Sequence, residues 1–460
     1  YIPKKVVPSL NGYFPEKVAI IGAGPAGLSC AFYLAEKGYS PVIFEKNEKP
    51  GGMLRYGIPS FKLEKDVIDA EIDIIKAMGV EIKCGVEVGK DVTLDELRAQ
   101  GYKAFYIAIG CQGGRKAGIP GEDAEGVMTA VDFLRTVGAD ESYPVTGKAV
   151  VVGGGNVAID VARTAQRCGA ESVSMFCLEP RDKMPASEEE IAEAQEEDVA
   201  INCGWGPKEV ITENGKVTGI VFKRCVSVWD KDGKFAPTYD ENDTQTVPCD
   251  RVFLSIGQSI LWGDLLKGSR VELGRGNGAV ADSLTYQTAE PDIFVGGDVY
   301  TGPKFAIDAI AAGREGAISI HRFVQPHSSL TIGRNRREFI ALDKDNIKVE
   351  QYDNSSRQIP GTRKDIDHKK SFRDAKLPFT EEQVKAETAR CLGCGASVVD
   401  PNKCIGCGVC TTKCEFNAIK LHRERPECSN MIPSEKKLPY VLGNGAKQAL
   451  KIKFSKKKEK

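Results

Sequence analysis

Long apolar segments, an excess of charge of one sign and a secretory leader are all lacking in this sequence. No stretch of the 460 residues approaches the roughly 18 consecutive apolar residues that cross a bilayer, so we do not expect an integral membrane protein. The 63 basic and 64 acidic side chains give a formal net charge of −1, and such a chain has no overall field to recruit nucleic acid or an anionic membrane. The chain opens at Tyr1 with neither a Met nor a signal sequence, and a fragment of a longer protein is one interpretation of that start.

Paired cysteines are lacking before Cys391, and histidine is scarce. The eight cysteines of this part stand singly, as Cys30, Cys84, Cys111, Cys168, Cys177, Cys203, Cys225 and Cys249. Single cysteines are typical of reduced, mostly buried side chains, and they indicate a cytoplasmic protein. A flavin disulfide reductase needs a redox-active pair of thiols, so the sequence does not favour that class. None of the four histidines stands out as a catalytic acid or base, and we interpret all of them as surface or structural: His321, His327, His368 and His422.

What the sequence does contain is a strand-turn-helix pattern with a glycine fingerprint near its start. Residues 17–23, KVAIIGA, form a β-branched apolar run that precedes a helical pattern. Gly22, Gly24 and Gly27 fall at the turn between them, where a helix N-terminus can bind a pyrophosphate. The next apolar run ends at Glu45, whose carboxylate can accept both ribose hydroxyls of a dinucleotide. This unit is therefore predicted to bind a dinucleotide.

Two further segments favour FAD as that dinucleotide. Residues 51–59, GGMLRYGIP, carry Arg55, which could lie against a planar ring system, although the segment taken alone could equally be an ordinary loop. Residues 295–298, VGGD, precede another helical pattern and place Asp298 near a helix N-terminus. A carboxylate there suits the ribityl hydroxyls of a flavin. The first glycine loop is thus predicted to hold FAD.

A second fingerprint lies about 130 residues further along the chain. The run KAVVVGGG, residues 148–155, meets a helical pattern, and Ala158 takes the last fingerprint position. Two dinucleotide sites in one chain suggest hydride passing from one cofactor to the other. Glu179 ends the next strand, where an adenosine ribose would lie, and its charge repels a 2′-phosphate, so we expect NADH rather than NADPH. Arg181 keeps an alternative open, because a guanidinium turned toward the ribose could bind that phosphate.

A cysteine-rich module follows a polar connector. Its spacing, C-x2-C-x2-C-x3-C from Cys404 to Cys414, is that of a bacterial ferredoxin loop. Zinc held by two C-x-x-C pairs is the competing interpretation, but zinc would leave two cysteines at ferredoxin spacing unexplained. We predict one 4Fe-4S cluster on Cys404, Cys407 and Cys410, closed by Cys428. Ser397 stands where a further cysteine would be needed, so a second cluster is left as a separate hypothesis, with ligands Cys391, Cys394 and Cys414.

A series of specific motifs runs through the chain in a fixed order. They are VAIIGAGPAGLSCAFYLAEKGY, GGMLRYGIPSFKL, VVVGGGNVAIDVAR, DKMPASEEEI, SIGQ, FVGGDVYTGP, AIDAIAAGREGA and FTEEQVKAETARCLGC. Over residues 16 to about 395 the chain thereby resembles the flavoprotein family of the glutamate synthase small subunit, the NADPH:ferredoxin oxidoreductases and the flavin half of dihydropyrimidine dehydrogenase. The resemblance implies an α/β fold with two Rossmann-like dinucleotide-binding domains, the NAD domain being inserted in the FAD domain.

The resemblance also implies two sets of binding residues. FAD would be bound by Gly22, Gly24, Pro25, Gly27, Glu45, Lys46, Gly52, Leu54, Arg55, Gly110, Gly297, Asp298, Phe305, Ala306 and Ile307. The nicotinamide nucleotide would be bound by the second fingerprint and its flanks, namely Gly153, Gly155, Asn156, Val157, Ala158, Glu179, Arg181 and Gly257.

Three departures from the family pattern bear on function. Members that use NADPH typically carry paired arginines just before the M-P-A motif, whereas Leu178 and Glu179 stand there in this chain, which agrees with the charge argument. The family's cysteine-rich helical domain usually precedes the first glycine loop, so we expect it to be absent, upstream of Tyr1 or on another subunit. The iron-sulfur module lies beyond the family's usual C-terminus.

The length fits about three domains at roughly 150 residues each. We expect an FAD-binding domain in two parts, residues 16–130 and 268–327, with an NAD(P)-binding domain, residues 131–267, between them. A connector (328–385), a small ferredoxin-like 4Fe-4S module (386–430) and a basic tail (431–460) follow. The tail is either solvated or docks an acidic partner.

These features predict an oxidoreductase with FAD, NAD(H) and iron-sulfur cofactors. It would move a hydride between NAD(H) and FAD, and single electrons between FAD and the cluster, serving a partner subunit or a ferredoxin in a larger redox complex. Hydride transfer needs no catalytic acid or base, so none is predicted. The alternative is a non-catalytic relay and assembly subunit whose nucleotide site is vestigial, and the intact Gly153, Gly155 and Glu179 argue against it.

Overall fold

The computed structural model describes residues 14–332, 334, 346, 353, 355–391, 406–413, 419 and 436–455. The chain divides into two compact units, of which the first holds both parallel sheets together with residues 356–385, and the second comprises residues 349–355 and 386–460. The strands are β1 (Lys17–Ile21), β2 (Val42–Glu45), β3 (Glu81–Cys84), β4 (Tyr102–Ile107), β5 (Gly113–Gly114), β6 (Val127–Thr129), β7 (Lys148–Val152), β8 (Ser172–Cys177), β9 (Ala200–Cys203), β10 (Trp205–Glu213), β11 (Lys216–Trp229), β12 (Phe235–Pro248), β13 (Arg251–Leu254), β14 (Gln258–Ser259) and β15 (Ile293–Val295). The helices are α1 (Pro25–Glu36), α2 (Met53–Tyr56), α3 (Lys65–Ala77), α4 (Leu94–Ala99), α5 (Ala130–Ala139), α6 (Asn156–Arg167), α7 (Glu188–Glu196), α8 (Asp298–Thr301), α9 (Ala306–Val324), α10 (Glu381–Ala389), α11 (Val409–Lys413) and α12 (Lys437–Ser455).

The first sheet is parallel, with the strand order β15-β4-β1-β2-β3. Its central strand β1 is buried on both faces: Val18 and Ile20 enter one core, and Ala19 and Ile21 enter another. This is the reason why β1 has a continuous β-branched run rather than an alternating pattern. Helices α1 and α9 pack on each other over one face of the sheet.

The second sheet is also parallel, with the order β6-β13-β7-β8-β9. All five of its strands lie in the chain between β4 and β15 of the first sheet. The second Rossmann-like unit is therefore inserted in the first, and this prediction is confirmed. Helix α5 covers the sheet with Phe133, whose ring centroid lies 4.1 Å from that of Phe253 on β13.

An antiparallel sheet of β10, β11 and β12 follows the second Rossmann-like helices. Its first turn contains Asn214 and Gly215 with φ of 50° and 79°, the left-handed conformations that an Asn-Gly hairpin turn requires. The second turn holds Asp230 and Gly233, whose backbone groups are hydrogen-bonded at 3.1 Å. Both turns join antiparallel strands, as Asn-Gly and Asp-Gly turn residues favour.

Part of the predicted connector packs against the second sheet's half of the unit. Phe372 contacts the core under α6, and the Arg167 side chain donates a hydrogen bond to the Ser371 carbonyl oxygen at 2.9 Å. Although this segment has a polar sequence, part of it is therefore packed and hydrogen-bonded to the second sheet's half. In the part of the chain that the structure describes, no helix has the length and apolarity needed to span a membrane.

Candidate functional site

The turn between β1 and α1 has positions where only glycine fits. Gly22 has φ of 103°, and a Cβ there would lie 2.5 Å from the carbonyl oxygen of Ala108. A Cβ on Gly27 would collide with the carbonyl oxygen of Gly22, because α1 packs directly on the end of β1. Pro25 is the first residue of α1, where its missing N–H leaves no helical hydrogen bond unmade. The first fingerprint therefore forms a tight strand-turn-helix with an open helix N-terminus.

Glu45, the last residue of β2, supports this turn. Its side chain is 2% exposed, and its carboxylate accepts hydrogen bonds from the backbone N–H groups of Ala23 at 2.7 Å and Asn47 at 2.8 Å. A buried carboxylate is tolerated only where donors satisfy it, and these two amides do so. The carboxylate is thereby fixed beside the glycine turn.

One cavity of about 660 Å³ joins most of the predicted FAD residues to the second fingerprint. A volume of this size is within the range of cofactor sites. The predicted FAD residues on its wall are Gly22, Gly24, Pro25, Glu45, Gly52, Leu54, Gly110, Gly297, Asp298, Phe305 and Ala306. Lys46 borders a small adjoining hollow together with Glu45. The same main cavity is lined by Asn156 and Val157 at the start of α6, which were predicted for the nicotinamide nucleotide.

The shape and chemistry of this wall fit a flavin dinucleotide. A Cβ on Gly52 would lie 2.7 Å from the Gly24 Cα, so the two glycine backbones form a cradle with no side chain in the way. Asp298 is half-buried at the start of α8, and burial raises the pKa of its carboxyl group while the Lys304 amide at 3.4 Å lowers it. Bare backbone suits a pyrophosphate, and a carboxylate suits hydroxyl groups.

Three predicted FAD residues line neither the main cavity nor the adjoining hollow. Gly27 serves the contact between helix and strand. Arg55 is 6% exposed, and its guanidinium donates to the Pro50 carbonyl oxygen at 2.7 Å and pairs with Asp69. Arg55 therefore stabilises the conformation of its own loop. Its side chain does not line the main cavity, where a planar ring system would lie. Ile307 is 68% exposed on α9.

The second fingerprint repeats the turn between β7 and α6. Gly153 has φ of 142°, and a Cβ there would collide with the carbonyl oxygen of Ser255. A Cβ on Gly154 would lie 3.0 Å from a carboxylate oxygen of Glu179, which places that carboxylate beside the turn. No atom lies within 4 Å of a Cβ added to Gly155. The backbone at Gly155 is thus open to an approaching phosphate group.

The flanking residues of this fingerprint have partners of their own. Arg181 is bound to Glu188 through two hydrogen bonds of 3.0 and 2.9 Å, and both side chains are exposed. The Asn156 side-chain oxygen accepts the Ser187 N–H at 3.0 Å, which ties the fingerprint helix to the start of α7. Ala158 is fully buried, as close packing of α6 on the sheet requires.

Sequence reasoning missed five polar residues on the main cavity wall: Gln112, Asp160, Gln258, Lys304 and Asp308. Two of them had a signal, because Gln258 follows the predicted Gly257 in the S-I-G-Q motif and Asp160 lies one helical turn after Asn156. Gly257 has φ of 115° and turns the chain at this point. Burial raises the pKa of Asp160 to about 6, although the nearby Lys62 ammonium acts in the opposite direction.

The cysteine module is described only in part. Cys391, Cys407 and Cys410 are exposed and, within the described residues, are not joined in disulfides. Within the described ranges, no three His, Cys, Asp or Glu side chains come together as a metal site. The other predicted cluster ligands lie outside the described residues: Cys394, Cys404, Cys414 and Cys428.

Two protein families match the chain. The family described as pyridine nucleotide-disulphide oxidoreductase matches residues 16–313. The 4Fe-4S binding domain matches residues 397–420, which include the four cysteines at ferredoxin spacing and favour iron-sulfur over zinc.

Curated relatives and solved structures agree with these matches. The chain is 36% identical over 391 residues to the NADP(+)-dependent formate dehydrogenase subunit beta of Moorella thermoacetica, covering 82% of this chain and 54% of that protein. It is 38% identical over 310 residues to the NAD-dependent dihydropyrimidine dehydrogenase subunit PreT of Escherichia coli O157:H7, covering 67% of this chain and 68% of that protein. The chain thus spans about half the length of the first relative.

Over 67% of this chain the fold is similar to that of FprA from Mycobacterium tuberculosis, solved in complex with NADPH, with a TM-score of 0.58 at 18% identity and 84% of that chain covered. The predicted family resemblance is confirmed by the named dihydropyrimidine dehydrogenase subunit and by the family matches. The chain therefore belongs to the pyridine nucleotide-disulphide oxidoreductase family, and it is an oxidoreductase with an FAD- and NAD(P)-binding region followed by a 4Fe-4S binding domain.

Proposed function

We propose that this chain passes a hydride between NAD(H) and FAD, and single electrons between FAD and a 4Fe-4S cluster. The observation that carries the proposal is the single cavity of about 660 Å³ that residues of both glycine fingerprints line. A bound flavin supplies the step between two-electron hydride chemistry and one-electron transfer. The protein's own part is to bind and orient the two coenzymes and to keep water away from their meeting point.

The flavin would be held by the first fingerprint and the α8–α9 segment. Gly22, Gly24 and Gly52 give the pyrophosphate access to the backbone, and Glu45 receives ribose hydroxyls with Lys46 close by. The remaining proposed contacts, including the three residues off the cavity wall, are Pro25, Gly27, Leu54, Arg55, Gly110, Gly297, Asp298, Phe305, Ala306 and Ile307.

We propose NADH as the preferred nucleotide, bound by the second fingerprint. The Glu179 carboxylate lies beside Gly154, where it would accept ribose hydroxyls and repel a 2′-phosphate. Arg181, the residue that could reverse this preference, is engaged by Glu188. The other proposed contacts are Gly153, Gly155, Asn156, Val157, Ala158 and Gly257. Among the relatives, one is named NADP(+)-dependent and the other NAD-dependent, so their names do not decide the choice.

For the cluster we propose Cys404, Cys407 and Cys410 as ligands with Cys428 as the fourth, and a second cluster on Cys391, Cys394 and Cys414 as a further hypothesis. The matched 4Fe-4S segment includes Cys414 and ends before Cys428, which makes Cys414 the competing fourth ligand. Separate Cys428→Ala and Cys414→Ala variants distinguish the two. The true fourth ligand is the one whose loss removes the cluster's EPR signal or changes its form.

We propose that the chain works in the cytoplasm with other redox subunits or a ferredoxin, as a member of a hetero-oligomer. The support is that both curated relatives are named as subunits of dehydrogenases. The eight singly placed cysteines are typical of a reducing compartment. The proposed domain limits are those from the sequence: 16–130 and 268–327 for the FAD-binding domain, 131–267 for the NAD(P)-binding domain, 328–385 for the connector, 386–430 for the iron-sulfur module and 431–460 for the basic tail.

An anaerobic titration with NADH and then with NADPH tests the proposal. We expect NADH to bleach the flavin absorbance and to develop a reduced-cluster EPR signal, and NADPH to do so less efficiently. Gly155→Ala is the variant to compare with the wild type. We expect it to retain bound flavin, but low NADH concentrations should no longer bleach the flavin absorbance. A flavin that NADH and NADPH both fail to bleach would favour the relay subunit with a vestigial nucleotide site instead.

A further inference from the structure

The segment after α2 reaches from the first sheet's half of the unit to the second sheet's half. Lys62 in this segment places its ammonium group between the carboxylates of Asp160 and Glu190. Asp160 belongs to α6 and Glu190 to α7, the helices that carry and flank the second fingerprint. The three side chains are only 19%, 12% and 23% exposed, so water and salt screen these ion pairs weakly.

The neighbouring Phe61 makes a second contact with the same helices. Its ring is 6% exposed, and the guanidinium carbon of Arg167 lies 3.9 Å from the ring centroid, while that of Arg163 lies at 4.8 Å. Cations at such distances from a buried ring are attracted to its face. Both arginines are held in place by Glu197, which accepts hydrogen bonds of 2.8 Å from each. Residues 61 and 62 are therefore joined to the second half by charge and by ring contacts.

The bridge made by Lys62 is not backed by solid packing. On one side, Asp160 lines the main cavity together with Asn156, one helical turn earlier on α6. On the other side, Lys62 and Glu190 line a second cavity of about 730 Å³. Because open space borders the bridge on both sides, the ion pairs carry much of the contact at this point. Lys62 is therefore the contact nearest to the first turn of α6, while Phe61 contacts the arginines further along the same helix.

We propose that Lys62 is a positioning residue for hydride transfer, which clamps α6 against the flavin half and so sets how closely the two coenzyme rings approach. This inference rests on the proposed function. Reacting atoms must come to about 3–3.5 Å of each other, and a misplacement of about 1 Å can lower a rate roughly 100-fold. Binding of the nucleotide is less sensitive, because Lys62 lies outside the fingerprint.

The test compares Lys62→Met with Lys376→Met in the full chain loaded with FAD. Lys376 is a matched control, because it also bridges two carboxylates of α7, Glu189 and Glu193, at 2.9 and 2.7 Å, but it comes from the 356–385 segment and not from the flavin half. In stopped-flow mixing with NADH, we expect Lys62→Met to slow flavin bleaching about 10- to 100-fold while the Kd for NADH changes less than about threefold. Lys62→Arg should restore most of the rate, and Lys376→Met should keep it.

Hydrogen–deuterium exchange of the FAD-loaded chain without nucleotide gives a readout that does not depend on turnover. We expect faster exchange at residues 58–63 and 187–191 in Lys62→Met than in the wild type or in Lys376→Met. If Lys62→Met does not fold, Glu190→Gln replaces it with the same expected outcome, since it removes one of the two ion pairs and leaves the main cavity wall unchanged.

Three results would overturn the inference: a wild-type bleaching rate in Lys62→Met, a loss of rate explained wholly by weaker NADH binding, or an equal loss in Lys376→Met. If the wild type itself is not bleached by NADH, the proposed function fails. The exchange measurement then still decides whether the clamp exists.

Discussion

Replacing Glu179 with Gln should shift the nucleotide preference toward NADPH. The Glu179 carboxylate lies beside the middle glycine of the second fingerprint, with an oxygen 3.0 Å from where a Cβ on Gly154 would be. The cation nearest to it in sequence, Arg181, is engaged by Glu188. A 2′-phosphate at the adenosine ribose would therefore meet a negative charge whose nearby cation is already paired.

The size of the effect follows from the charges. Two unit charges about 4 Å apart repel by roughly 4 kcal/mol at an effective dielectric constant near 20. Glu179 is half-buried, so solvent screens part of this energy. About a third of it, roughly 1.4 kcal/mol, corresponds to a tenfold change in an equilibrium constant. We therefore expect Glu179→Gln to lower the ratio of kcat/KM for NADH to that for NADPH about tenfold.

Initial rates with each nucleotide and an artificial electron acceptor measure that ratio. Glu188→Gln is a companion variant, because it frees Arg181 and should raise the activity with NADPH while leaving that with NADH nearly unchanged. Glu189→Gln makes the same change of charge one residue further along α7 and serves as the control. A wild type that prefers NADPH, or a Glu179→Gln variant with an unchanged ratio, would refute the charge argument.

Four further substitutions test three separate parts of the site. Glu45→Ala leaves the buried Ala23 amide without its acceptor, and at about 1.5–3 kcal/mol per charged hydrogen bond it should weaken FAD binding at least tenfold, as measured by flavin fluorescence on dilution. Gly155→Ala meets no atom within 4 Å and should leave the Tm unchanged while raising the Kd for NADH at least tenfold, whereas Gly153→Ala should lower the Tm. Asp160 has its pKa raised to about 6 by burial, so the folded protein binds an extra proton between about pH 4 and 6 and the contribution of Asp160 to stability is lost as the pH rises through 6. The Tm of Asp160→Asn relative to that of the wild type should therefore be higher at pH 7 than at pH 4.5. An equal difference in Tm at both pH values would contradict the raised pKa of Asp160.

The sequence predicted the elements that repeat a local rule. Strand β1 and strand β7 each precede a glycine turn and a helix, and the turn at Asn214 marks the first hairpin, so all three could be found from spacing and residue type. The cavity residues Asn156 and Val157 followed from the same fingerprint. These features are visible because each depends on residues that are close together in the chain.

The features that were missed depend on contacts between distant residues. The acidic run that contains α7 has helical spacing and indicates a solvated face, yet Glu193 and Glu197 bind Arg163 at 2.5 and 2.8 Å. Residue 62 reaches α6 nearly a hundred positions later, and the polar 356–385 segment supplies the Ser371 carbonyl to Arg167. Charge pairing depends on which side chains the fold brings together, and spacing along one chain does not reveal it.

The two glycine loops also differ in a way that fits the two roles proposed for them. In the first, Glu45 is 2% exposed and the Gly24 and Gly52 backbones meet closely, so a dinucleotide held there would be enclosed on several sides. In the second, Glu179 is half-buried and nothing lies within 4 Å of a Cβ on Gly155. Enclosure slows release, because most of the ligand's surface is desolvated and its partners are already in place. A coenzyme that stays bound through many turnovers suits the first loop, and a nucleotide that must leave after each hydride transfer suits the second.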